Sequence, residues 1–433
     1  MKRLLLMTAV SLCVVPALYA EDLKLNNETT VSFASQDQAR ALLGVEDEFI
    51  KSLSPFDRSA RMKTDREVTP GQFLKFVAAS ALDWKPEEQR AVEAAVKAMA
   101  PAVAKLNLKF PESVLMIKTT GKEEGDASYT RGNAIILPQS VLSSGRGKLE
   151  HTIAHELFHI LTRNHPELRD ALYAIIGFLP CNEIELPGEL KARKITNPDA
   201  PRNDHYIRVS FDGKPASVVP ILYAEQPQYD VKRGGEFFEY MLIRLLVVEK
   251  QDDQWKPVLR NGQAVCLEER QVSQFLEQVG KNTEFTYHPE EILADNFALI
   301  VTGRKNLPSP EVAAKLDRLL RSATLPYTTS AAPPVPAKGA RTSMKGWELY
   351  VWQANGETSF SLLEGTNRLK TEEEVTKAAV KGVDAIKSRL AELKAGETVS
   401  IVGRQLQEKP PADQANDLAE YCKKIGLQAQ AQR

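Results

Sequence analysis

Apolar positions along the chain follow two spacings, and the switches between them mark its elements. Over 87–106 apolar residues recur every three to four positions, which predicts a long amphipathic helix. Residues 113–119 and 133–137 are short apolar runs of strand length, and helical spacing then continues without a break through 151–160. Upstream, 21–86 reads as a mostly helical N-terminal region, with periodic apolar positions around Phe73, Phe76 and Val77. From 179 to about 260 the texture becomes strand-rich and is punctuated by Asn197-Pro198-Asp199 and Arg233-Gly234-Gly235. Helical patterning returns over 268–278, 289–302 and 310–320.

The stretch 331–343 is a Pro/Ala linker without core-forming residues, so a separate module is expected over 344–433. That module predicts strands at 347–353 and 358–363 around the turn Ala354-Asn355-Gly356-Glu357. Thr371 and Glu374 form a capping box before a helix with the stripe Val375, Ala379, Val383, Ile386, Leu390 and Leu393. A strand at 398–402 and a helix at 412–425 complete a ββαβα order. No catalytic set converges in this module, and nothing in it names a partner. The class expected for the whole chain is α+β, with 87–330 as its principal domain.

Composition narrows the function classes. The formal net charge is −1 with 43% hydrophobic residues, which fits a globular protein and gives no support to nucleic-acid binding. Residues 1–20 read as a signal peptide: Lys2 and Arg3 precede an apolar run from Leu4 to Leu18, and Ala20 offers a cleavage site before Glu21. An exported protein, periplasmic or extracellular, is therefore expected. No later run is long enough to span a bilayer. Export permits disulfides, and Cys181 with Cys266 is the expected pair; packing on a helical face accounts for Cys422.

The chemistry is concentrated in one decapeptide. Of six histidines, four (His151, His155, His159, His165) fall within 151–165, and His155-Glu156-Leu157-Phe158-His159 is a His-Glu-x-x-His sequence on a predicted helix. Residues four apart share a helical face, so His155 and His159 can aim two imidazoles at one point. Neutral imidazole suits Zn²⁺, and a catalytic zinc wants three protein ligands and a water. Glu156, beside the first histidine, is placed to take a proton from that water. Apolar flanks at Ile153, Ala154, Leu157, Phe158 and Ile160 predict burial, which an ionisable trio tolerates only with a partner such as a metal.

The third ligand is sought in His288-Pro289-Glu290-Glu291-Ile292-Leu293-Ala294-Asp295, where Pro289 opens a helix and Glu291 and Asp295 lie four apart. One carboxylate can bind the ion while the other accepts an imidazole N–H. Glu290 is the weaker choice, because Ala294 rather than an acid follows it one turn later. Together the two segments resemble the gluzincin branch of the zincin metallopeptidases, in which a His-Glu-x-x-His helix is met by a later Glu-x-x-x-Asp helix. The resemblance implies His155, His159 and Glu291 as ligands of one zinc ion, Glu156 as general base, and Asp295 as the group supporting a ligating imidazole. It also implies a zincin-like fold, with an active-site helix beside a small mixed sheet, and a strand at 133–137 that borders the cleft and pairs with an extended peptide. The long interval between the motifs requires an inserted subdomain. His165 is the competing third ligand, at metzincin spacing, although Thr162 stands where that family's glycine would be.

The expected function is an exported zinc endopeptidase acting on peptide or protein substrates through a zinc-activated water. His205, Tyr206 and His288 are the candidates for stabilising the transition state. The rival is a non-catalytic envelope binding protein with a structural zinc.

Overall fold

The structure is a computed structural model that describes residues 23–106 and 108–322, together with the strands 347–354, 357–364, 380–381, 398–403 and 428–432. The chain divides into two compact units, 1–333 and 334–433, within the Pro/Ala stretch. It is a mixed α+β protein. The signal segment 1–20, Cys422 and the predicted helix 412–425 lie outside the described residues.

The first unit is organised by a six-stranded sheet in the order Leu23–Lys24, Thr30–Phe33, Ser113–Thr119, Ala134–Pro138, Tyr129–Arg131, with Ala81–Leu82 beside the end of Ser113–Thr119. Thr30–Phe33, Ser113–Thr119 and Ala134–Pro138 run parallel. Tyr129–Arg131 returns antiparallel through a tight turn at Gly132, whose φ of 56° suits glycine. Every residue of Ala134–Pro138 is buried, as is all of Ser113–Thr119 but its first, because these interior strands are covered on both faces. Helices Pro86–Ala104 and Arg146–Asn164 share one core cluster with these strands, including Val96, Met99, Met116, Ile135, Ile153 and Leu157. Full burial of each such side chain contributes about 1.5–3 kcal/mol.

The N-terminal region is helical over Gln36–Leu43, Glu48–Ser52, Pro55–Arg61 and Pro70–Ala79. Capping boxes at Ser35, Ser54 and Thr69 set three of these starts, two with proline in the first turn. The region is not purely helical, because Thr30–Phe33 pairs with Ser113–Met116 and so belongs to the main sheet.

The inserted segment forms a second, antiparallel six-stranded sheet: Gln254–Pro257, Met241–Gln251, Lys214–Ala224, His205–Phe211, Phe178–Pro180, with Cys266–Leu267 on Met241–Gln251. Its hairpins turn at Asp212-Gly213 and Asp252-Asp253, all four residues having positive φ. That is the type I′ geometry whose twist matches the strands it joins. Cys181 and Cys266 are free thiols, contrary to the expected bridge. Each fills a place beside the apolar cluster of Ile184, Tyr206, Val219 and Leu246 as a small hydrophobe. Burial pushes the Cys181 thiol up to about 12, which disfavours the thiolate form.

In the second unit the strands order as Val380–Lys381, Glu357–Glu364, Trp347–Ala354, Thr398–Gly403, Gln428–Gln432. Trp347–Ala354 and Thr398–Gly403 are parallel. Val380–Lys381 pairs with Ser359–Phe360 inside the segment predicted as a helix, and Gln428–Gln432 adds a strand that the ββαβα reading lacked. Backbone pairing has overridden the helical stripe at 380–381.

Candidate metal centre

Helices Arg146–Asn164 and Pro289–Val301 pack against each other in the core of the first unit. The second starts with Pro289 behind His288, whose Nδ1 accepts from the Glu290 N–H at 3.1 Å. Burial pulls the His288 imidazole down to about 4, so it is neutral and can accept. Almost the whole helix is buried, including Glu290, Glu291 and Asp295. Buried carboxylates are tolerated only where opposite charge and donors meet them.

The partners come from the facing helix. His155 Nε2 lies 3.1 Å from Glu291 Oε2, and His159 Nε2 lies 3.5 Å from Glu291 Oε1. The ligating atoms of His155, His159 and Glu291 fall within 4.8 Å of one another. An ion bound tetrahedrally at about 2.0–2.1 Å would set its donors roughly 3.4 Å apart, close to the spacing found. Two atoms test the fit further: His159 Nε2 and Glu156 Oε2 are buried and make no hydrogen bond. Such orphaned atoms are rare in native proteins and are met here if a cation and its water occupy the cluster. The donor set of two nitrogens and one carboxylate can therefore hold a divalent metal.

Behind these three residues stands a second layer. Asp295 Oδ1 is 3.1 Å from His155 Nδ1 and 3.0 Å from His151 Nε2, so one carboxylate serves two imidazoles. Glu290, the weaker ligand candidate on helical register, meets the other histidine: its Oε1 is 3.0 Å from His159 Nδ1. Thr162 and Tyr173 donate their hydroxyls to the same carboxylate. His155 and His159 thus each have Nδ1 engaged by an acid and Nε2 turned to Glu291, the arrangement that would present Nε2 to a metal. Replacing Glu290 with alanine is expected to weaken metal affinity about 10–100-fold, measured by competition with a chromophoric chelator. An unchanged affinity would remove Glu290 from the site.

His165 is directed elsewhere. Its Nε2 is 2.8 Å from the Lys109 carbonyl and its Nδ1 3.1 Å from Glu167, so the helix ends there without returning to the cluster. The charged groups of the cluster shift one another strongly. Burial, reinforced by Asp199, lifts the Glu156 carboxyl to about 8. Burial lowers the His159 imidazole, but Asp199 and Glu291 outweigh it and raise the group to about 9. Against burial, His159 and His155 hold Glu291 down at about 2. A dication binding here displaces imidazole protons, so affinity for it falls as pH falls.

The strand at 133–137 is not a sheet edge open to pairing with an extended peptide. Ala134–Pro138 is bonded on both sides, and the sheet edge is Tyr129–Arg131. Even that edge is capped, because the Thr130 N–H donates to Asp199 Oδ1 at 2.9 Å and Arg163 Nη1 donates to the Gly132 carbonyl at 2.9 Å. Asp199 comes from the inserted segment, whose 195–202 loop also sends Asn197 Nδ2 to Glu291 Oε1 at 2.7 Å. Asp199, Glu156 and His159 form a second group of oxygen and nitrogen donors within 4.8 Å. Sequence reading took Asn197-Pro198-Asp199 only as a breaker.

The loop is held from the far side of the chain. Arg61 Nη2 donates to the Thr196 carbonyl at 2.9 Å, and Asp57 accepts from the Thr196 N–H at 3.1 Å and its hydroxyl at 2.8 Å. Arg61 also pairs with Asp57 and with Glu124, and lies 4.1 Å over the Phe237 ring. A cavity of about 80 Å³ opens beside His155, Glu156 and Glu291, with Tyr287 in its wall. Burial and then Glu291 push the Tyr287 phenol far up, leaving it a hydroxyl donor.

The three residues considered for transition-state stabilisation are otherwise engaged. His205 bonds Asp204 and Asp170, and Tyr206 stacks 4.0 Å from Trp255. His288 caps the ligand helix, with Nε2 3.1 Å from the Arg202 carbonyl. Among the described residues no helix is long and apolar enough to cross a membrane. No family model, no curated protein and no solved structure matches this chain.

Proposed function

We propose that the chain is an exported zinc-dependent metallopeptidase of gluzincin type, with His155, His159 and Glu291 as ligands. The observation that carries this reading is the convergence of those three groups beside a buried Glu156 oxygen that has no other partner. Zinc suits a site of two histidines and a glutamate. When bound it supplies polarisation of a carbonyl and acidification of a water. Glu156 takes the proton of the attacking water and delivers it to the leaving amine. Tyr287, in the wall of the same cavity, donates its hydroxyl to the oxygen that gains charge. Asp295 and Glu290 keep the imidazoles in register throughout.

A second reading, a non-catalytic protein with a structural metal, is favoured by one observation: Asp199 caps the Thr130 N–H, where an extended peptide would pair. One experiment separates the two. Purified protein is expected to carry about one zinc per chain and to cleave casein, with cleavage abolished by chelation and restored by zinc. Stoichiometric zinc without chelator-sensitive cleavage would establish the structural role instead.

A further inference from the structure

A larger cavity, about 430 Å³, lies beyond Pro198 and Asp199, which line both it and the metal-side space. Four guanidinium groups line it: Arg131, Arg163, Arg169 and Arg202. Three are committed. Arg131 pairs with Asp47 and donates to the Val45 carbonyl at 2.7 Å, Arg163 donates to Thr130 Oγ1 at 2.7 Å, and Arg202 meets Glu48 at 2.7 Å. Arg169 makes no hydrogen bond or ion pair with any described residue, and its Nε is buried without an acceptor. Arg131 Nη1 is likewise buried and unpartnered, on a side chain only 3% exposed.

Asp204 and Glu48 act on the Arg169 charge through space without bonding it, and the acids facing the cavity already meet other donors. Asp47 also caps the Ile50 N–H at 3.1 Å, Glu48 holds Arg202, Asp199 holds Thr130, and Asp204 is 2.7 Å from His205 Nδ1. The cavity therefore holds buried donors that lack an acceptor, and a guanidinium fork presents such donors in the plane that matches two oxygens of one oxyanion. Phe49, Tyr173, Pro198 and Pro201 supply apolar wall. Glu48, Asp47 and Asp204 disfavour a polyanion. The volume is that of a small-ligand site.

We infer that this cavity binds a single carboxylate carried on an apolar or aromatic body, with Arg169 as its principal anchor and Arg131 Nη1 as the second donor. Such a group can belong to a free organic acid or to the chain end of a peptide. The inference does not depend on the peptidase reading, since it rests on a separate cavity and its test reads binding.

Calorimetric titration of the full chain in the presence of chelator uses N-acetylphenylalanine and its amide, then a hexapeptide ending in phenylalanine as acid and as amide. At least one acid is expected to bind ten or more times more tightly than its amide. Discrimination by N-acetylphenylalanine identifies a free-acid site, and discrimination by the hexapeptide alone identifies a chain-end site. Arg169→Gln is expected to abolish the difference, while Arg169→Lys keeps part of it, with thermal melts verifying that both variants fold. Equal binding of acids and amides, no binding of either, or full discrimination by Arg169→Gln overturns the inference.

Discussion

If the proposed peptidase reading holds, Glu156→Gln is expected to retain zinc while losing peptide hydrolysis by roughly 10²–10⁴-fold, the usual worth of a positioned general base. The substitution conserves shape and removes only the capacity to take a proton. Glu156 is not one of the three groups that converge on the proposed ion, so metal content should stay at the wild-type level. Its Oε2 is buried and unpartnered, so no structural bond is lost there. Burial and Asp199 raise the carboxyl to about 8, well above the ordinary carboxylate range and toward that of a base working near neutrality. Metal analysis and a peptide-cleavage assay on the same preparation decide the matter. Turnover close to wild type would remove Glu156 from the proposed mechanism.

Arg61→Met is expected to cost about 3–5 kcal/mol of folding stability, because it strands Asp57 and Glu124 as buried acids. Arg61 is 2% exposed and Asp57 fully buried, so solvent cannot replace the lost cation. The guanidinium has three separate tasks, on Asp57, Glu124 and the Thr196 carbonyl, which an uncharged side chain of similar length leaves undone. Urea denaturation followed by circular dichroism gives the stability change. The same variant should loosen Asn197 and Asp199, seen as faster hydrogen exchange at the Thr130 amide that Asp199 now accepts. A loss under 1 kcal/mol with unchanged Thr130 exchange would show that the loop is held by other means.

The legible part of the site is the part written at helical spacing. His155 with His159, and Glu291 with Asp295, are each four residues apart, and that separation alone places each pair on one face. The same rule, which preferred Glu291 to Glu290 as a ligand, says nothing of Glu290's other contacts. Sequence register compared it with Ala294, but its partner is His159 on another helix, which no spacing within 289–302 reveals. Asn197, Asp199 and Tyr287 were missed because they sit in irregular segments, where side-chain direction follows the local turn rather than a period. The expected disulfide failed for a related reason, since compatible spacing between cysteines does not bring two thiols together.

Strand pairing shows where local information ends. The run 133–137 announces a strand by its apolar residues, yet whether it lies at the edge or inside the sheet depends on Tyr129–Arg131 folding back beside it. In the second unit, Val380–Lys381 takes a strand conformation inside a helical stripe because a neighbouring strand offers it partners.

By itself, then, the amino-acid order determined the α+β class, most helices of the first unit, and two pairs of ligand-type residues facing outward from their own helices. Only the tertiary structure decided that the two helices face each other, that a loop from the insertion reaches Glu291, and that Arg61, more than a hundred residues away in the chain, fastens that loop. The physical reason is range. Helical register acts over a few residues through backbone geometry, whereas burial of charge is settled by whatever groups the completed core brings within hydrogen-bonding distance.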